Sequence, residues 1–154
     1  MSLDQYSDEP LVVRRFIPVA RDRVFAAWLD PGSLAQWMRP GGTTDATAEV
    51  DPRKGGKFRI VMMHGAKRFE HTGEYLLIDP PARLSFTWIS QATDQKPTVV
   101  TVDFLERSGG TELVLTHQRL PLSQVDSHRS GWTDIARMLE GTLLGSASAL
   151  EQRP

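Results

Sequence analysis

Apolar positions along this chain switch between two periods, and the switches mark out its elements. Leu11 to Ile17 (LVVRRFI) is rich in β-branched and aromatic residues and stops at Pro18, which predicts a first strand. Over Val19 to Asp30 the period becomes helical. Val24, Phe25, Trp28 and Leu29 fall on one face, and Arg21, Asp22 and Arg23 form a polar first turn. Pro31 ends this helix and, lacking an amide hydrogen, can start another. The second, short helix covers Gly32 to Met38, with Leu34, Trp37 and Met38 apolar, and stops at Arg39-Pro40-Gly41-Gly42.

From Thr43 to Leu120 the pattern is that of an antiparallel sheet. Turn clusters fall at Asp51–Gly56, Gly65-Ala66-Lys67, Asp79-Pro80-Pro81, Gln91–Pro97 and Ser108-Gly109-Gly110. Connections this short join antiparallel neighbours, because a parallel pair needs a crossover of about a dozen residues. The intervals predict strands near 43–50, 57–64, 68–78, 83–90, 98–106 and 111–119. Phe58, Ile60 and Met62 alternate with Lys57 and Arg59, and Leu84, Phe86 and Trp88 with Arg83, Ser85 and Thr87. Val100, Val102 and Phe104 oppose Thr101 and Asp103; Leu113, Leu115 and His117 oppose Glu112 and Thr116. Such alternation means one covered face and one wet face. The cover is predicted over Asp126 to about Leu150, where Trp132, Ile135, Leu139 and Leu143 recur at helical spacing. Gly131, Gly141 and Gly145 conflict with that helix, each costing ~1 kcal/mol relative to alanine; close approach of sheet backbone or ligand would account for one of them, and a frayed end beyond Gly145 is the plainer account.

Composition narrows the function. The 154 residues suit one domain, 11–150, with residues 1–10 as a polar, frayed leader that lacks the features of a secretory signal. No apolar run reaches the ~20 residues that cross a bilayer, so the expectation is a soluble, cytoplasmic protein without a membrane partner. With 18 basic and 19 acidic side chains, a nucleic-acid partner is not expected. The absence of cysteine excludes thiol nucleophiles, disulfides and zinc ribbons.

The order β–α–α, six meandering strands and a long closing helix carries a family resemblance. Its motifs are Val24-Phe25-Ala26-Ala27-Trp28 with Pro31, Trp37 followed by Pro40, and Gly55-Gly56-Lys57-Phe58-Arg59. Gly73 to Pro81 (GEYLLIDPP), Arg83 to Trp88 (RLSFTW), Gly110-Thr111-Glu112-Leu113 and Gly131-Trp132 continue the series. Over roughly Leu11 to Leu144 the chain resembles the START-like, helix-grip (SRPBCC) superfamily, and within it the bacterial homologues of the activator of the heat-shock protein 90 ATPase. The resemblance implies an α+β fold: a curved seven-stranded antiparallel sheet gripping a long C-terminal helix, with two short helices after the first strand and a cavity in between. It does not imply chaperone activation, because the eukaryotic activator is similar to this chain in only one of its domains. Fold alone does not fix chemistry.

With this parity Phe58, Ile60, Met62, Phe86, Trp88, Val102, Phe104, Leu113 and Leu115 point inward and meet Trp132, Ile135, Met138 and Leu139 of the last helix. On the long strand the odd residues Phe69, His71, Tyr75 and Leu77 are placed inward, with Gly73 between them. An ordinary core would explain such a set, but His71, Tyr75, His117, Trp88 and Trp132 each carry a polar tip needing a partner if buried. A cavity holding a small hydrophobic or aromatic ligand, oriented by His71, Tyr75 or His117, satisfies them. Catalysis of the cyclase or aromatase kind, which the superfamily includes, would rest on His117 as acid–base, although no carboxylate is spaced to orient it. A third reading is an interaction module, chaperone-associated or homodimeric, using Val12, Phe16, Val61, Met63 and Leu105 on the outer face. His64, His71, His117 and His128 match no metal-ligand spacing, the Gly-Gly pairs sit in strand turns, and no serine has a nucleophile-elbow context; neither metal nor other cofactor is expected.

Overall fold

The computed structural model describes residues 6–151, with side chains through 145. Strand β1 (Leu11–Ile17) leads into α1 (Arg21–Ala27) and α2 (Pro31–Trp37). The strands β2 (Asp45–Val50), β3 (Lys57–His64), β4 (Lys67–Asp79), β5 (Arg83–Trp88), β6 (Thr98–Arg107) and β7 (Gly110–Gln118) then meander to α3 (Val125–Glu151). The seven strands form one curled sheet in the order β1-β7-β6-β5-β4-β3-β2, antiparallel throughout, around the long C-terminal helix. Helix α2 starts as its sequence dictates: Pro31 occupies the first turn and the Asp30 carboxylate accepts from the Gly32 amide at 3.1 Å. The leader does not fray at its end. Tyr6 bridges to Pro121, and the Ser7 amide donates to the Leu120 carbonyl at 2.9 Å. Residues 1–5 of that leader lie outside the described residues.

Strand parity holds on β3, β5, β6 and β7, where Ile60, Leu84, Val102 and Leu113 are all buried. On β4 it holds only to Tyr75. A bulge between Tyr75 and Leu77 adds one residue against β5, so Tyr75 faces Phe86 but Leu77 faces Ser85. Beyond it Ile78, opposite Leu84, packs against the core, and Leu77 is left 38% exposed rather than inside. Phe69 is on the inner face opposite Met62, yet it too is largely exposed, because β5 has ended before that point and nothing covers it.

The concave face is shared between two covers. At one end α1 and α2 close it: Phe25 meets Phe104 edge-on at 5.1 Å, and Trp28 lies 4.7 Å from Trp37. Trp28 also reaches Phe86 and Phe104. Helix α3 closes the rest with a stripe of Trp132, Ile135, Ala136, Leu139 and Leu143. Met138 does not belong to it. At 3.6 residues per turn it lies about 120° from the stripe's centre, and it is half-exposed. Outside the sheet Val12 and Phe16 are exposed, whereas Val61 is buried, and Met63 and Leu105 are half-buried.

Gly73 is dictated by packing. A Cβ there would overlap the Thr87 carbonyl oxygen and the Phe58 ring. Gly141 and Gly145 have open space instead, and a Cβ on Gly131 would make only ordinary contact with Pro40, so close approach explains none of the helix glycines. Two substitutions should therefore move stability in opposite directions. In urea unfolding, Gly73→Ala should cost about 3 kcal/mol or more by overpacking, while Gly141→Ala should gain about 1 kcal/mol in helix propensity. Equal effects of the two would contradict this assignment.

Candidate functional site

Helix α3 is attached to the sheet by a buried chain of hydrogen bonds. The Trp132 indole Nε1–H donates to His117 Nδ1 at 3.0 Å, and His117 Nε2 lies 2.7 Å from Thr98 Oγ1. The single Thr98 hydroxyl proton goes to the Trp88 carbonyl at 2.6 Å. Thr98 must therefore accept from His117, which puts the imidazole hydrogen on Nε2 and leaves Nδ1 bare for Trp132. Both bonds demand the same tautomer. His117 is 1% exposed; burial pushes its pKa down to about 3, with the neighbouring His128 adding to the effect. A neutral ring with both nitrogens bonded to protein has no lone pair or proton to offer a substrate. His117 is thus a structural anchor, and the acid–base role considered from the sequence is not supported by its geometry.

Beside this anchor the sheet and α3 separate around a cavity of about 290 Å³, open to the surface. The sheet contributes Met62, His64, His71 and Trp88, and the loop after α2 contributes Pro40 and Gly41. The first turns of α3 contribute Ser127, His128, Gly131, Trp132, Asp134 and Ile135. The Gly41 amide donates to Asp134 Oδ2 at 2.9 Å, tying the loop to the helix, and Arg137 donates to the other carboxylate oxygen at 3.1 Å. His128 donates from Nδ1 to the Gln124 carbonyl at 2.9 Å, so its Nε2 is an acceptor. Its ring meets that of His117 edge-on at 5.4 Å. All four histidines of the chain thus gather here, three on the wall and one behind it.

The deeper interior is filled. Phe58, Ile60, Tyr75 and Phe86, expected around a ligand, enclose with Trp28 and Trp88 a void of about 10 Å³, room for roughly one water. Val102, Phe104, Leu115 and Leu139 are buried core away from the cavity, because the aromatic side chains of α1 and α2 occupy the space assigned to a ligand. Met138 points outward. Of the fifteen residues placed around a ligand, the structure brings Met62, His71, Trp88, Trp132 and Ile135 together on the cavity wall. His64, His128 and Asp134 were missed. His128 had a signal, standing one helical turn before Trp132; Asp134 had none, since its partner Gly41 is remote in sequence.

The wall is electrically neutral apart from Asp134, which is already engaged, and no lysine or arginine lines it among the described residues. Burial lowers the pKa of His71 to about 4, opposed by nearby backbone carbonyls and reinforced by His128, and burial also lowers that of His128. Three buried polar atoms have no partner among the described residues: Trp28 Nε1 in the filled interior, and Trp88 Nε1 and His71 Nδ1, which belong to residues of this wall. No three metal-ligating side chains come together among those residues.

The sequence matches the family described as Activator of Hsp90 ATPase homolog 1-like protein over residues 18–143. The chain belongs to that family. Among solved structures it is similar to a Rhodobacter sphaeroides protein at 25% identity and TM-score 0.79, covering 90% of this chain and 95% of the other. An AHSA1-like protein from Aeromonas hydrophila is also 25% identical, with TM-score 0.72 and coverage of 94% and 97%. An HSP90 activator from Plasmodium falciparum is 25% identical, with TM-score 0.70 and coverage of 88% and 96%. No curated protein matches the chain. Among the described residues of this family member, no helix is long and apolar enough to cross a membrane.

The histidine cluster makes stability depend on pH in a stated direction. The folded state holds His71 and His117 below the ordinary imidazole value, so the unfolded chain binds protons first as pH falls. Their contribution is complete above about pH 6.5 and is lost progressively toward their folded values, by up to ~1.4 kcal/mol per pH unit for each ring. Urea unfolding at pH 7, 6 and 5, above most carboxylate titration, should show this loss. Stability unchanged down to pH 5 would contradict it.

Proposed function

We propose that this family member binds a small, uncharged molecule with an aromatic or apolar body and at least one hydrogen-bonding group. The site is the cavity between Trp88, Trp132, Met62 and Ile135. The observation that carries the reading is an open cavity that sets Met62, Trp88, Trp132 and Ile135 beside three histidines, with a buried polar atom left unpartnered in two of its wall residues, Trp88 and His71. Leaving such groups unpaired costs about 1–3 kcal/mol each, and a ligand toward which either ring turns to make the missing bond offsets that cost. The volume is near the lower end of small-molecule sites, which favours a body of one or two rings. An anionic ligand would find no countercharge there. No cofactor belongs to this reading, and a cytoplasmic setting goes with it.

The dimerising-module reading has less support. Val12 and Phe16 are exposed on the outer face of β1, but Arg14 stands between them and pairs with Glu112 at 3.6 Å. Two apolar side chains interrupted by an ion pair make a patch well below the ~800 Å² per partner of a standard interface.

N-phenyl-1-naphthylamine, a neutral fluorescent probe, tests the site. Gly131→Leu places a side chain at the mouth, where a Cβ has room, and should not weaken the helix. The expected result is probe binding to the native protein and about tenfold weaker binding to the variant, with its melting temperature retained. Equal affinity in both would remove this cavity from the function.

A further inference from the structure

The hydrogen-bonded pairing of β4 with β5 ends early. Its last link is the isolated bridge between Thr72 and Ile89, in which each amide donates to the other's carbonyl at 3.0 and 2.9 Å. Beyond it β4 continues back to Lys67 bonded only to β3, while the chain after Ile89 leaves the sheet through a 3₁₀ turn at Gln91–Thr93. The two diverge, and the wedge between them is a second cavity of about 300 Å³. Arg68, Glu70 and Thr72 line one side, and Ser90, Gln91 and Gln95 the other. His71 and Ala92 line both this cavity and the one against α3, so the two are neighbours that share those residues.

The outer wall is held in place. Thr93, 1% exposed, accepts from the Ser90 amide at 3.0 Å and donates to the Lys96 carbonyl at 2.8 Å, while the Gln95 amide donates to the Ser90 carbonyl at 2.9 Å. Against this frame Asp94 and Gln95 adopt φ of 56° and 58°, a left-handed pair without glycine. Strain of that kind persists where surrounding bonds over-determine the backbone, and it is concentrated at ligand-holding segments. The two chambers differ in chemistry. The inner one sets Trp88 and Trp132 beside three histidines, and its one carboxylate, Asp134, is already engaged. The outer one offers donors from Arg68, Gln91 and Gln95 and acceptors from the same amides and from Glu70, whose carboxylate accepts from Arg59 at 3.1 Å and lies 3.8 Å from Arg68.

The geometry points to one elongated ligand occupying both chambers: a neutral aromatic head against Trp88 and Trp132, and an uncharged, polyhydroxylated tail such as a sugar in the wedge. His71, whose buried Nδ1 has no hydrogen-bond partner among the described residues, belongs to the wall of both chambers. A hydroxylated tail matches a wall that both donates and accepts, whereas a purely apolar tail would strand those groups. This assignment rests on the proposed ligand-binding reading and adds the ligand's shape and the character of its second half.

Calorimetry with 2-naphthol and its β-glucoside separates the two ideas. The native protein should bind the glucoside at least about fivefold more tightly than the naphthol, a ratio expected from one or two net hydrogen bonds. Ala92→Phe, which narrows the wall shared by the two cavities, should bring the ratio of glucoside to naphthol affinity to about one. Gln95→Gly removes one tail partner and relieves the left-handed backbone at the same position. It should cut the advantage about threefold without lowering the melting temperature. Naphthol binding with no preference for the glucoside, or a preference that survives both substitutions, would overturn the two-chamber assignment alone. Failure of both compounds to bind would overturn it together with the reading it rests on.

Discussion

The position of α3 depends on one buried imidazole. His117 on β7 accepts from Trp132 on the helix and donates to Thr98 on β6, whose hydroxyl passes on to the Trp88 carbonyl at the end of β5. A side chain that both accepts and donates is needed at that point, because the indole can only donate and the threonine proton is already engaged. A lysine could not accept, and a leucine would strand the indole and the hydroxyl in the core. The chain joins the helix to three strands and fixes the Trp132 face that bounds the cavity. It works only while the ring is neutral, since a proton on Nδ1 would confront the indole N–H with a second donor.

The cavity is a consequence of how two covers divide one concave surface. The α1–α2 pair brings Phe25, Trp28 and Trp37 onto the sheet and fills the end that includes Phe104 and Phe86. Helix α3 crosses the remainder, and its first turns present Ser127, His128 and Gly131 where filling that end would need larger apolar side chains. The curled sheet is also incomplete there, since β5 stops at Trp88 while β4 extends beyond it. A short cover over a splayed edge leaves space, and two of the residues around it, His71 and Trp88, keep a buried polar atom without a partner among the described residues.

The fold was legible because its signals are local. Alternation, turn clusters, Pro31 and the helical stripe of Trp132, Ile135 and Leu139 each act within a few residues. What was not legible depended on alignment between distant segments. The bulge that turns Leu77 outward is set by how β4 pairs with β5, and the exposure of Phe69 by where β5 ends. The sequence pointed to His71, Trp88, His117 and Trp132 as polar tips in an apolar interior. It could not say that His117 and Trp132 satisfy each other while His71 and Trp88 are left over. Nor could it say that Phe104 packs against Phe25 and Trp28, which no periodicity within a strand encodes.

The central claim is that a neutral His117 in a single tautomer docks the helix and thereby shapes the site. Long-range nitrogen–proton NMR correlation on the imidazole rings reads that state directly. The account predicts hydrogen on Nε2 and a bare Nδ1 for His117, unchanged between pH 7 and pH 5, because burial holds its pKa down to about 3. A ring carrying its hydrogen on Nδ1, or one that titrates near the ordinary value of about 6.5, would contradict it.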